Sequence, residues 1–223
     1  MNQLDLLEVL KPPAEVSSEE LAVGMHKCFA NAGTLLEDAR LLLERSPGRA
    51  LSLAILALEE TAKIFILCEL AVPAPTVVGS KVRSAIASHA RKQYVLASYG
   101  RHVLGNPYEV DIPLGLVAHL DRLKQLGFYV DITTQGFLSP QTLGEQNRDW
   151  AVWAIEAAQE RLDSIAQFHE TPEASATFVR RGTLMRELVG RIQAAGGPDS
   201  PQATEVVEEF LREVKERDAE TSP

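Results

Sequence analysis

Residues Ala50 to Leu70, ALSLAILALEETAKIFILCEL, decide how the rest of the chain is read. Leu51, Ile55, Leu58, Ala62 and Phe65 step by four and three, which places them on one face of a helix. Leu53, Leu56, Ala57, Ile64 and Leu67 form a second stripe beside it. A helix apolar around that much of its circumference is expected to be the central, buried member of a bundle. Three charges interrupt it: Glu59, Glu60 and Lys63. Glu60 falls on an apolar stripe, three residues from Ala57 and four from Ile64, and a lone buried carboxylate is costly. Two arrangements would satisfy it. One is local pairing, Glu59 with Lys63 at i,i+4 and Glu60 with Lys63 at i,i+3. The other is a polar site inside the bundle.

The totals agree with a helical protein. The chain has 223 residues, of which 45% are hydrophobic and 24% charged, an ordinary globular balance that fits one or two domains. Aromatics are only 6%, and the abundance of Leu and Ala favours helices over a β-sandwich. The formal charge of −9 argues against general attraction to nucleic acid or an anionic membrane. Its distribution is uneven. From Ala71 to Tyr108 there is no Asp or Glu, whereas Lys81, Arg83, Arg91, Lys92 and Arg101 lie there with His89 and His102. The C-terminal end carries Glu205, Glu208, Glu209, Glu213, Glu216, Asp218 and Glu220. Cys28 and Cys68 are the two cysteines and form no CxxC, which points to a reduced, cytoplasmic protein. No signal-peptide pattern and no membrane-spanning run are seen.

Turn chemistry sets the expected boundaries. Residues 1–16 read as a lead-in, with Pro12 and Pro13 blocking a helix. Ser17 and Glu20 form a capping-box pattern, which predicts a helix from there to about Arg45. Ser46-Pro47, Ser139-Pro140, Thr171-Pro172 and Ser200-Pro201 each pair a hydroxyl N-cap with Pro at the first helical position. Pro73 and Pro75 end the central helix, and a basic helix is expected from about Val78 to Val103. A shorter helix is expected over residues 114–126, with Gly127 as its C′ residue. FYVDIT, Phe128 to Thr133, reads as a short strand or an extended loop. The next helix carries Trp150 and Trp153, read as core or dimer-contact residues. Gly196, Gly197 and Pro198 separate the last two helices. The fold expected is all-α: a four- or five-helix core over residues 17–170 and a helical extension over 171–223.

Several blocks together resemble a known family. Asn31-Ala32, Leu35-Leu36, Asp38-Ala39 and Leu41-Leu42 precede ALEETAK, Ala57 to Lys63. His89 and Lys92 form His-x-x-Lys in SHARKQ, and LKQLGFYVD, Leu123 to Asp131, is followed by Ser139-Pro140. In that order and spacing, across about residues 25 to 165, the blocks resemble the AbiV family of bacterial abortive-infection proteins, within the HEPN superfamily. The resemblance implies an up-down helical bundle, a role in antiphage defence and pairing of two protomers. It also implies a candidate activity, since many HEPN proteins are metal-independent RNases whose motif is Arg, four to six residues, then His. Arg83 and His89, with five residues between them, fit that motif. On one continuous helix the two would stand about 240° apart at roughly 100° per residue, on different faces.

Metal-free RNA cleavage needs a proton-transfer group at the 2′-OH and a cation facing the phosphorane. Histidine suits the first role and arginine the second. Arg83, His89, Lys92 and Glu60 are therefore the candidate catalytic residues, and Lys63, Arg91 and Tyr129 the candidate substrate-binding ones. For His89 the alternative is a core histidine on the stripe of Val82 and Ile86, and for Arg91 and Lys92 it is a solvated face. His26, His102, His119 and His169 read as structural or surface residues, His169 as a cation favoured at a helix end. No Glu-x-x-His or His-x-x-x-His pair is present, so neither a metal nor a cofactor is expected. The expected partners are a second protomer, RNA or a translation component of the host, and a phage protein as trigger. The rival function is a non-catalytic helical module that binds a phage or host protein.

Overall fold

The computed structural model describes residues 11–102, 114–134, 136–142 and 148–221. The long elements are helical. Helix α1, Ser18–Leu42, begins at a full capping box: Ser17 Oγ accepts from Glu20 N, and Glu20 Oε2 accepts from Ser17 N. Helix α2, Pro47–Ala71, follows after residues 43–46. So short a connection makes the two antiparallel neighbours, and they pack along their lengths. Helix α2 is the central one, with Leu51, Ile55, Leu58, Ile64 and Ile66 essentially inaccessible to solvent.

A two-stranded ribbon closes the end of α2. Strand β1, Glu15–Ser17, pairs antiparallel with β2, Thr76–Val78, with Val16 opposite Val77. The lead-in is thus fastened to the chain that leaves α2. Helix α3, Gly79–Ala87, and helix α4, His89–His102, come next. One helix over 78–103 was expected from the sequence, and the structure breaks it at Ser88, whose backbone is extended (φ −71°, ψ 109°). Ser88 then starts the new helix, its hydroxyl accepting from Arg91 N and its carbonyl from Lys92 N. A serine N-cap competes well with helix continuation because it satisfies donors that a new helix start leaves open.

Helix α5, Leu114–Leu126, leads into the hairpin of β3, Asp131–Thr133, and β4, Gly136–Leu138. Of the readings of Phe128 to Thr133, the strand holds for its second half. Residues 140–142 are helical after Ser139, residues 143–147 lie outside the described residues, and helix α6 spans Arg148–His169. Trp153 packs half-buried against the core, edge-on to the more exposed Trp150 at 6.0 Å between ring centroids.

Helix α7, Pro172–Ala194, is capped by Thr171 as its sequence predicts, and packs on α1 and α6. Gly196 and Gly197, with φ of 99° and 96°, make the left-handed turn after it. Helix α8, Ala203–Thr221, starts two residues later than Ser200-Pro201 predicts. The Ser200 hydroxyl accepts from Gln202 N and holds a turn there instead. Phe210 buries α8 against α7, under the Arg191 guanidinium.

Candidate functional site

The polar face of α2 is set by helical spacing. Gly48, Ser52 and Glu59 lie four and then seven residues apart, which places them on one side of α2. Helix α5 lies against that side so closely that a Cβ on Gly127 would fall 1.7 Å from Ser52 Oγ and 2.3 Å from Gly48 O. Gly127 follows the helix as expected, but its φ is not positive, so contact rather than a left-handed turn requires glycine there. Ser52 Oγ donates to the Lys124 carbonyl at 2.8 Å, satisfying one of the acceptors a helix C-terminus leaves open. Two turns further along α2, Glu59 takes the other end of the same residue: Lys124 Nζ donates to Glu59 Oε1 at 2.7 Å. Lys124 therefore lies along α2, fixed at both ends.

Helix α4 supplies the second cation. Because α4 starts at Ser88, His89 is its first residue and Lys92 lies one turn on. Lys92 Nζ donates to Glu59 Oε2 at 2.6 Å. The side chains of Glu59, Lys92 and Lys124 retain only 4%, 6% and 9% exposure. His89 Nδ1 faces this cluster, 3.4 Å from Lys124 Nζ, 3.5 Å from Glu59 Oε1 and 3.6 Å from Asp121 Oδ1, while its ring is half-exposed. Lys124 Nζ also lies 2.9 Å from Asp121 Oδ1, in an ion pair too poorly angled for a hydrogen bond.

Burial by itself pushes the Glu59 carboxyl up. Hydrogen bonds from Lys124 and Lys92, with their charges, outweigh it and hold the carboxyl below its ordinary value. Burial likewise works to lower Lys124, and its hydrogen bond to Glu59, with the ion pair to Asp121, raises it instead. The Lys124 ammonium, opposed by desolvation, depresses Asp121. Glu59, Asp121 and Lys124 are thus held in their charged forms, and by formal charge two carboxylates face two ammoniums.

The structure distributes the sequence candidates unevenly. His89 and Lys92 meet, but around Glu59 rather than Glu60. Glu60 forms the local pair, with Lys63 Nζ at 2.5 Å and the two side chains 13% and 23% exposed. It also touches Cys28, whose thiol burial and the Glu60 charge push up to about 12. Lys92 is buried, which corrects the reading of its position as a solvated face. Arg91 is partly exposed and pairs with Glu69 at 2.9 Å. Arg83 lies exposed on α3, across the Ser88 break from His89, so the angle expected on one continuous helix does not apply to them. His89 is not on the Val82 and Ile86 stripe, because the break restarts the helical register. Tyr129 is 68% exposed, its ring edge-on to Phe128, and does not pack into the bundle.

His169 needs a different correction. It is fully buried, shares a hydrogen bond between Nδ1 and Ser175 Oγ, and its carbonyl lies 3.0 Å from His26 Nδ1. Burial, then the proximity of His26, lowers its pKa to about 4, so it is a neutral core residue and not a helix-end cation. His119 is exposed, and the His102 side chain lies outside the described residues.

Sequence reasoning missed Glu59 as the centre, and missed Lys124, Asp121 and Ser52 altogether. Two signals were available. Asp121-Arg-Leu-Lys124 repeats on α5 the three-residue spacing of His89-x-x-Lys92, and each such pair shares a helix face. Ser52 and Glu59, seven apart, mark a polar line on one side of a largely apolar helix. Among the described residues Glu59, His89 and Asp121 could also hold a metal ion, their ligand atoms lying within 4.8 Å of one another. Lys124 Nζ, within 3.4 Å of all three, stands where such an ion would bind.

An all-α bundle with a long central helix, packed on its neighbours through a buried ion network, is a HEPN-like helical fold. The chain belongs to the AbiV family of HEPN abortive-infection proteins, whose pattern, described as AbiV, it matches over residues 20–161. That span contains Ser52, Glu59, His89, Lys92, Asp121 and Lys124. No curated protein and no solved structure matches the chain. No helix among the described residues is long and apolar enough to cross a membrane.

Proposed function

We propose that this protein is an antiphage abortive-infection effector that acts on RNA, as a homodimer, through the surface around His89. The observation that carries the reading is the placement of His89. It is a half-exposed imidazole at the start of α4, with one ring nitrogen turned to a buried, charge-balanced network. A proton-transfer group needs this combination of access on one side and fixed orientation on the other. In this reading the network is scaffold and His89 is the reacting group. Lys92 is spent on Glu59, so the phosphate charge falls to Arg83 and Arg91. A second protomer brings a second set of these cations to the same substrate.

The test is growth arrest, phage protection and RNA integrity in cells expressing the wild type, His89→Ala or Arg83→Ala. Both variants are expected to fold, to lose protection and to leave RNA intact. A folded His89→Ala variant that still protects would overturn the reading, and light scattering that returned only monomer at working concentration would remove its shared site.

A second reading, recognition of a phage or host protein without catalysis, is favoured by one observation. The buried charges are already balanced, while Tyr94, Tyr129, Val130 and Phe137 leave apolar surface exposed on α4, the turn after α5 and the hairpin. Protection that survives in His89→Ala but fails when Phe137 is made polar would select it.

A further inference from the structure

From the geometry at the mouth of the network we infer that Asp121 is a positioning residue for His89: it takes the Nδ1 proton and leaves the Nε2 lone pair facing substrate. The inference rests on the proposed reading of His89 as the reacting group and deepens it, assigning His89 the part of the base.

Asp121 has an unfilled acceptor. Asp121 Oδ2 accepts from Gln125 Nε2 at 3.3 Å. Asp121 Oδ1 is buried and has no hydrogen-bond donor aimed at it, although Lys124 Nζ lies 2.9 Å away. A buried carboxylate oxygen without a donor is uncommon and calls for a physical account. His89 Nδ1, at 3.6 Å, is on the neighbouring helix and can supply the proton. Catalytic hydrogen bonds are often long in the free protein and shorten when substrate binds.

A competing arrangement exists at the same nitrogen. Lys124 Nζ is 3.4 Å from Nδ1, and an ammonium only donates, so that contact as a hydrogen bond would require a lone pair on Nδ1. The charges decide between them. Facing Nδ1 are Lys124 at 3.4 Å, Glu59 at 3.5 Å and Asp121 at 3.6 Å, one positive and two negative at nearly equal range. Lys92 neutralises the network as a whole but is bonded to the other Glu59 oxygen, Oε2, so the three charges facing Nδ1 sum to a negative local field that attracts a proton there and repels a lone pair. Lys124 meanwhile has a nearer acceptor in Glu59 Oε1, at 2.7 Å. With its proton on Nδ1, the neutral ring presents Nε2 as an acceptor on its exposed side, the form that removes a proton from a hydroxyl.

Nitrogen-15 spectra of the His89 ring in the intact protein test this directly, with the ring neutral. The expected result in the wild type is a protonated Nδ1 and an unprotonated Nε2. Asp121→Asn keeps the shape of a residue one-third exposed but can turn an amide N–H toward Nδ1. It should shift the ring toward the Nε2–H tautomer and lower RNA cleavage about a hundredfold or more, the loss typical of a disabled acid–base group. A wild-type ring with Nδ1 unprotonated overturns the inference whatever the activity. A tautomer that shifts in Asp121→Asn with cleavage unchanged overturns the positioning role. Should His89→Ala also retain full cleavage, the reading of His89 as the reacting group fails separately, and the tautomer still reports the pairing.

Discussion

Glu59→Ala is the most severe single change the network predicts. The wild-type carboxylate accepts from two ammoniums, at 2.6 Å from Lys92 and 2.7 Å from Lys124, with all three side chains nearly inaccessible. Each charge-assisted bond of this kind contributes about 1.5–3 kcal/mol, and two give an upper range of about 3–6 kcal/mol. Deleting one partner of a buried pair costs about 3–5 kcal/mol because the remaining charge is left uncompensated. Here two ammoniums would be left, so a loss of about 3–5 kcal/mol is expected, with a fall in Tm of roughly 6–20 °C for a chain of this size. Urea unfolding followed by circular dichroism measures it, and Glu60→Ala is the internal control. Glu60 is bonded to Lys63 and touches Cys28, with the ion pair partly exposed, and its removal should cost about 1 kcal/mol or less. Lys92→Met added to Glu59→Ala should recover part of the loss by removing one stranded charge. A Glu59→Ala loss no larger than that of Glu60→Ala would refute the account of α2 as the carrier of the network.

Two further outcomes follow from packing and titration. Gly127→Ala must push α5 off α2, since its Cβ would collide with Ser52 Oγ and Gly48 O; a loss of about 3 kcal/mol in urea unfolding is expected from such overpacking, with weaker amide-exchange protection in α5, and a stability equal to wild type would contradict the contact. His169 has a folded pKa of about 4 against an ordinary 6.5, so the unfolded chain takes up its proton first. Stability from this residue is complete above pH 6.5 and falls as pH drops from 6.5 toward 4; His169→Gln should flatten that limb in pH-dependent unfolding. The Glu59 contribution is lost only lower, as pH falls from its ordinary 4.5 through its depressed folded value, so a limb starting at 4.5 in the wild type would deny the His169 effect.

How much of this was legible depends on whether a residue's role is set locally. The capping box at Ser17, the cap at Thr171 and the burial of α2 follow from spacing within one element, and they appear as read. Ser88 is the instructive failure. The surrounding sequence is helix-compatible on both sides, and only the capping competition at one serine separates α3 from α4. That break relocates His89 from an expected apolar stripe to an exposed helix start. The choice between Glu59 and Glu60 was not decidable from α2 alone, because adjacent residues differ by one helical step and either carries a charge into the bundle. The decision is made by Lys124, whose position depends on Gly127 lying flat on Gly48 and Ser52. Lys124 lay within the Leu123–Asp131 block that signalled the family, yet as a lysine near a helix end it carried no mark of burial.

The balance of the network also bears on where substrate charge must be met. Lys92 and Lys124 are the two cations of the network that His89 faces, and each is held by Glu59 at under 3 Å. A phosphate could engage them only by displacing Glu59, and that would strand the carboxylate in the core at a cost of several kcal/mol. The network is therefore a poor anion site, despite the absence of any acidic residue from Ala71 to Tyr108. In the proposed reading its two lysines orient and do not bind. Arg91 is engaged with Glu69, but that pair is solvent-exposed and worth little, so it can be exchanged for a phosphate cheaply. Arg83 is exposed on a helix of its own. Two exposed arginines at the margin, against a neutral centre and an overall charge of −9, give one protomer little hold on a polyanion. Pairing protomers doubles the marginal cations without altering the buried core, which is the physical reason to expect RNA affinity and dimerisation to be lost together.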